Sequence, residues 1–234
     1  MDRDQAKMQV GQAAARYVED GMVIGLGTGS TATHAIVAIG KRIQEQGLRI
    51  RGVPTSKSAE FEARRNGIPL CTLHDVDGLL DLSIDGADEV SPELDLIKGR
   101  GAAHTLEKLI ASQSDRFIIV VDESKMVDQL GKTVPVPVEV IPEAAHVRMR
   151  DFQSMGYKAE LRLGLRKDGP VITDHGLWII DVEFGAISEP DQLSSTLDQL
   201  PGILDHGLFL GYATEALIGT ESGVKIYHRS NLPA

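Results

Sequence analysis

Met22-Val23-Ile24-Gly25-Leu26-Gly27-Thr28-Gly29-Ser30-Thr31-Ala32 is the stretch that decides the fold. Residues 22–26 are a short apolar run, which reads as a buried strand. The glycines that follow break it. Ala32, Ile36, Ile39 and Ile43 then fall at i, i+4, i+7 and i+11, the stripe of an amphipathic helix. Strand, glycine loop, helix is the opening of an α/β unit. Backbone amides of such a loop converge at a helix N-terminus, where the dipole favours an anion. Thr28, Ser30 and Thr31 add hydroxyl donors, and the set suits a phosphate monoester. The plain structural alternative is a tight βα turn with a serine cap. A dinucleotide fingerprint needs a third glycine where Ser30 stands. A Walker A loop needs Gly-Lys-Ser/Thr and a hydrolase elbow needs Gly-x-Ser-x-Gly; neither is present.

Upstream, Val10, Ala13, Ala14 and Tyr17 recur at helical spacing, with Gly21 as a stop. Downstream, residues 48–53, 80–84 and 117–121 read as strands, with a helix capped by Ser56 or Ser58 and ended by Gly67. Strands alternating with helices predict a mainly parallel sheet covered on both faces. The pattern changes at Pro135 and Pro137. Strands are expected at 138–141, 161–165, 177–182 and 204–211. Helices open at Pro142 and Pro190. That order, β-α-β-β-α-β, is the split βαβ pattern of a ferredoxin-like subdomain. The expected division is 1–132 with 208–234 as a Rossmann-like domain, and 133–207 as the ferredoxin-like insert.

The 234 residues carry 24 Lys and Arg against 34 Asp and Glu, a formal net charge of −10, which argues against nucleic-acid binding. The single cysteine, Cys71, excludes an internal disulfide and a cysteine metal cluster. The first residues are charged and lack a signal core, and the longest apolar runs are too short to span a bilayer. A soluble, cytoplasmic protein with no membrane partner is expected.

Three further features carry chemistry. Asp85-Gly86-Ala87-Asp88-Glu89 follows a strand, where an open α/β sheet binds ligands. It reads as a turn, a catalytic carboxylate pair, or a hard-cation site for Mg²⁺. Ile97-Lys98-Gly99-Arg100-Gly101-Ala102 puts a lysine on a second glycine loop, open to close approach of a ligand. In the following helix, Ala103, Leu106 and Ile110 define the apolar face, and Glu107 projects from its middle. An inward carboxylate costs free energy unless it is paired or has a task, and desolvation raises a carboxylate toward the range of a general base. A phosphate cradle, strand-end carboxylates, a loop lysine and an inward Glu together suit proton transfer beside the carbonyl of a sugar phosphate. The substrate is an anion and the chain is acidic, so the site must be locally positive; Lys7, Lys98 and Lys125 are candidates.

The ordered motifs Gly27-Thr28-Gly29-Ser30-Thr31, Asp85-Gly86-Ala87-Asp88-Glu89, Lys98 to Ala103, Glu107-Lys108, Asp122 to Lys125 and Pro137 to Pro142 resemble those of A-type ribose-5-phosphate isomerases along essentially the whole chain. The resemblance implies interconversion of D-ribose 5-phosphate and D-ribulose 5-phosphate through an enediolate, with no metal or cofactor, in the pentose phosphate pathway. It implies Glu107 as the base that moves a proton between C2 and C1. Asp85, with Asp88 beside it, would handle hydroxyl protons and ring opening, and Lys98 would stabilise the enediolate. Thr28, Gly29, Ser30, Thr31, Gly86, Ala87, Gly99, Arg100, Gly101, Lys125 and Lys7 would complete the substrate site. It also implies a Rossmann-like domain with an inserted ferredoxin-like domain, and a homodimer or homotetramer. Arg100 departs from the family's usual Lys-Gly-Gly-Gly. Were φ positive there, Arg would be strained; otherwise it points outward or adds a phosphate contact.

Overall fold

The computed structural model describes residues 3–229. In chain order its regular elements begin with α1 (Arg3–Ala15), β1 (Val23–Leu26), α2 (Ser30–Gln46), β2 (Arg51–Pro54), α3 (Lys57–Arg65) and β3 (Leu82–Asp85). There follow β4 (Glu89–Val90), β5 (Leu96–Ile97), α4 (His104–Ser112), β6 (Phe117–Asp122) and β7 (Val136–Val140). The remainder are α5 (Ala145–Ser154), β8 (Lys158–Leu161), β9 (Trp178–Glu183), α6 (Pro190–Asp198), β10 (Ile203–His206), β11 (Leu208–Phe209), β12 (Glu215–Thr220) and β13 (Gly223–His228). They divide into two compact units.

The first unit holds the described residues up to Ala87, Leu106–Met126 and those from Gly211 onward. Its six-stranded sheet runs β13-β12-β6-β3-β1-β2, parallel throughout except for β13. Ile24, Leu26, Leu82, Ile84, Ile118, Val120 and Leu217 pack on Val10 and Ala14 of α1 and on Ala35, Ile36 and Ile39 of α2. Val53 and Leu80 pack with Ile110 of α4 in a second cluster. β6 is buried along its whole length, which is why it reads as a continuous apolar run. Ser56 caps α3 by accepting the Ala59 N–H at 3.0 Å, and Gly67 follows with φ 70°. The chain leaves β1 toward β2 on one side and returns to β3 on the other. The loops after β1 and β3 therefore open together at a topological switch point, the place where such sheets bind ligands.

The second unit holds Asp88–Thr105 and Val127–Leu210. Its larger sheet has the antiparallel order β10-β7-β9-β8 and is crossed by α5 and α6, the ferredoxin-like arrangement. Val136, Val138, Val140, Ile180 and Val182 form its core with Ala145, Phe152 and Leu197. The strand expected at 161–165 lies instead at Lys158–Leu161. Ala159 is the residue buried there, while Leu163, in an isolated bridge to Pro170, and Leu165 are 64% and 101% exposed. The unit also extends beyond the expected 133–207. β4 pairs with β5, and β5 with β11, in a three-stranded antiparallel sheet. The buried Glu89 adds a tie: its carboxylate accepts the N–H groups of Gly131, Thr133 and Val134 and the Thr133 hydroxyl at 2.6–3.1 Å. Glu89 thus serves packing, holding the 131–134 segment to β4.

Candidate active site

The 27–31 loop is the turn from β1 into α2. Gly29 caps α2 with φ 106° and ψ 167°, a region that is essentially glycine's alone. A Cβ there would meet nothing within 4 Å, so the space in front of the helix N-terminus is open. Gly27 is needed for the opposite reason. A Cβ on it would lie 2.4 Å from the Asp85 carboxyl carbon. The Thr28 hydroxyl shares hydrogen bonds with Thr55 Oγ1 at 2.9 Å and Ser56 Oγ at 2.6 Å. Ser30 is exposed and Thr31 buried. Thr55 was not marked by the sequence and Ser56 only as a cap. Both lie just past β2, and the chain gave no periodic signal for that meeting of hydroxyls.

Asp85 is the last residue of β3 and is 1% exposed. Its Oδ1 accepts the N–H of Thr28 at 2.9 Å and of Gly86 at 2.7 Å. The glycine loop and the acidic loop thus meet, and the carboxylate is locked in orientation by backbone donors. Gly86 and Ala87 continue the chain from that point, and Gly86 is placed close to the Thr28 carbonyl. Glu107, in α4, is 4% exposed, so it is the inward carboxylate that its spacing predicted. His104, the first residue of α4, is fully buried. Its turn of the helix faces the second glycine loop, where a Cβ on Gly99 would come within 2.6 Å of His104 Nδ1.

Lys125 ends a 3₁₀ turn just past β6 and is half-buried. Lys7 lies on α1, its side chain 17% exposed and 3.9 Å from Asp4. Neighbouring Ala6 and Val10 sit against Gly219 near the carboxyl end of β12. Gly219 pairs with Asp122, the last residue of β6, so this part of α1 lies by the carboxyl end of that strand.

In the second unit, Lys98 is 3% exposed. Its N–H donates to the Gly207 carbonyl at 2.9 Å, and its Nζ stands 5.5 Å from the Phe209 ring centroid, within cation–π range. The loop after it turns at Gly99, φ 107°, and at Ala102, φ 57°. The Ala102 N–H closes back on the Gly99 carbonyl at 3.0 Å. Arg100 is not among the positive-φ residues, so the extra side chain brings no backbone strain; Arg100 and Gly101 are both exposed. Asp88 accepts the Arg100 N–H at 3.0 Å. It therefore ties down the lysine loop. Among the described residues, no three His, Cys, Asp or Glu side chains converge as a metal site requires, and no helix is long and apolar enough to cross a membrane.

Comparison with known proteins agrees with this architecture. The sequence model of the ribose 5-phosphate isomerase A (phosphoriboisomerase A) family matches residues 51–223. The ribose-5-phosphate isomerase A of Gloeothece citriformis is 51% identical over 214 residues, which is 91% of this chain and 90% of that protein. The structure of ribose 5-phosphate isomerase A from Methanocaldococcus jannaschii superposes with a TM-score of 0.92 at 45% identity, covering 97% of this chain and all of that one. A D-ribose-5-phosphate isomerase solved in complex with phospho-erythronic acid superposes with a TM-score of 0.95 at 44% identity, over 97% of this chain and 100% of that one. With fold, motif order and near-complete coverage in agreement, this chain belongs to the ribose 5-phosphate isomerase A family.

Proposed function

We propose that this chain interconverts D-ribose 5-phosphate and D-ribulose 5-phosphate by proton transfer through an enediolate. The observation that carries the reading is Glu107, a carboxylate 4% exposed on a helix packed against the sheet whose switch point holds the glycine loop and Asp85. In the aldose-to-ketose direction the Glu107 carboxylate takes the proton from C2. The electron pair moves into the C1–C2 bond, and the carbonyl oxygen at C1 becomes the enediolate oxygen. Glu107 then returns the proton to C1, while the C2 hydroxyl proton is passed by way of Asp85 to the oxygen on C1, leaving the C2 carbonyl. Asp85 accepts and delivers hydroxyl protons, including the one moved on ring opening. Lys98 balances the oxyanion, whose charge is greatest in the transition state. The open helix N-terminus at Gly29, with Thr28, Ser30 and Thr31, receives the phosphate, and Lys125 and Lys7 add positive charge at the same sheet edge. Gly86, Ala87, Gly99, Arg100 and Gly101 contribute backbone. The acid bound by the 44%-identical relative is a phosphorylated sugar acid, whose carboxylate has the planar anionic form of an enediolate. That chemistry supports the reading.

The residues act without a metal, in the cytoplasm, and in a homodimer or homotetramer. Elution of the purified protein at two or four protomers tests the assembly. Turnover of ribose 5-phosphate in excess EDTA tests the activity and the metal together. Activity that appears only on adding Mg²⁺ would turn Asp85 and Asp88 into metal ligands. Glu107→Gln lowers kcat by ~10²–10⁴, the usual contribution of a general base, with ligand binding retained. A Glu107→Gln protein of normal turnover removes Glu107 from the mechanism.

A further inference from the structure

The lysine loop is gripped by an arginine that no sequence signal marked. Arg162 follows β8, and its side chain is 16% exposed. Its guanidinium makes four hydrogen bonds, all inside the second unit. Nε donates to Asp181 Oδ2 at 2.8 Å, and Nη2 donates to Asp181 Oδ1. Nη1 donates to the carbonyl oxygens of Gly99 at 2.8 Å and Arg100 at 3.1 Å. Asp181, on β9, thus fixes one edge of the fork while the other edge reaches two successive carbonyls just beyond Lys98.

The Gly99–Arg100 peptide is held on both its polar groups. Arg162 takes its carbonyl, and Asp88 takes its N–H at 3.0 Å. Gly99 is the residue whose backbone most readily pivots, and it adjoins Lys98. Gly99 is buried and its carbonyl needs a protein donor, whereas Arg100 is exposed and water would satisfy its carbonyl without Arg162. An arginine immobilised there gives up about 2 kcal/mol of rotamer entropy. What the grip gains is orientation of the peptide that follows the lysine.

We propose that Arg162, oriented by Asp181, is a positioning residue for Lys98. It fixes the Gly99–Arg100 peptide, and through it the backbone from which the Lys98 ammonium is aimed. The inference rests on the role given to Lys98 above. Lysine cannot replace arginine here, since a point charge cannot hold a carboxylate by two bonds and two carbonyls together.

The test is steady-state kinetics on ribose 5-phosphate with melting temperatures, for Arg162→Ala, Arg162→Lys, Asp181→Asn, Lys98→Ala and the double variant Arg162→Ala/Lys98→Ala. Arg162→Ala lowers kcat on the order of tenfold to a hundredfold, as a misaimed catalytic group does, with little change in KM. Arg162→Lys does not restore it. In the Lys98→Ala background the same substitution costs no further kcat, because the two act as one unit. Should Arg162→Ala fail to fold, Asp181→Asn keeps the volume, frees the fork, and carries the same kcat loss in smaller measure. Normal kcat in Arg162→Ala or folded Asp181→Asn, beside a crippled Lys98→Ala, overturns the inference alone. Losses that multiply in the double variant overturn it too. Full kcat in Lys98→Ala removes the role of Lys98 and the inference with it.

Discussion

The 27–31 loop of the first unit and the 98–102 loop of the second are both glycine-rich turns ahead of a helix, but they keep their shape by different means. The first is shaped from within. Gly27 lets the backbone lie against Asp85, Gly29 takes a conformation other residues avoid, and Thr28 donates its own N–H to the carboxylate. The second is held from without. Asp88 and Arg162 grip one peptide, Gly207 receives the Lys98 N–H, and an alanine, Ala102, takes positive φ. A loop shaped from within is sensitive to substitution at its own glycines. A loop held from without tolerates change in itself, as Arg100 shows, and is sensitive at its holders.

Gly27→Ala is the sharpest way to break the first half of that contrast. The new methyl would meet Asp85 at 2.4 Å, displacing the carboxylate. Overpacking costs ~1–3 kcal/mol of stability, read as a lowered melting temperature, and misplacement of Asp85 lowers kcat on the order of a hundredfold. A fully active Gly27→Ala protein would mean that the tight approach is incidental. Asp88 divides the second half. Asp88→Ala leaves the Arg100 N–H without its acceptor and lowers kcat on the order of tenfold, whereas Asp88→Asn keeps an acceptor and most of the rate. Equal losses in both would instead give the Asp88 charge a part in the chemistry.

Gly29→Ala has open space for its methyl but strained torsions, at ~1–3 kcal/mol. Its expected effect is a KM for ribose 5-phosphate raised about tenfold with kcat nearly kept, since the cradle binds ground and transition states alike. A kcat loss without a KM change would move the cradle from phosphate binding to the reacting end. Arg100→Gly is the smallest change, within about twofold in kcat and KM, as for an exposed side chain. A clearly raised KM would reveal a phosphate contact.

These loops also show what a sequence exposes and what it hides. β1, its loop and α2 were legible because burial leaves a continuous apolar run and then a helical stripe. Glu107 was legible because it stands i+4 from Ala103 and i−3 from Ile110, on the apolar face. Arg162, Thr55 and the structural use of Glu89 were not. Each acts on backbone groups or hydroxyls far away in sequence, and such hydrogen bonds leave no period. β4, β5 and β11 have two residues each, too short for alternation to register, so the reach of the second unit stayed hidden. The displaced β8 has another cause: Leu163 and Leu165 imitate an alternating strand, yet both lie past its end and are exposed.

The parallel sheet of the first unit has a consequence for the order in which the protein is made. β6 takes β12 as its neighbour, Ile118 beside Glu215 through Asp122 beside Gly219, and α1 rests Ala6 and Val10 on that same late strand. A ribosome delivers α1 first and β12 long afterwards. The elements from β7 to β10, contiguous in the chain, emerge whole in between. A nascent chain that has reached residue 210 therefore has a complete ferredoxin-like sheet but still an open β6 edge, the kind of edge that invites another chain. Vectorial synthesis leaves the sheet that carries Asp85 waiting on one of the last strands to appear.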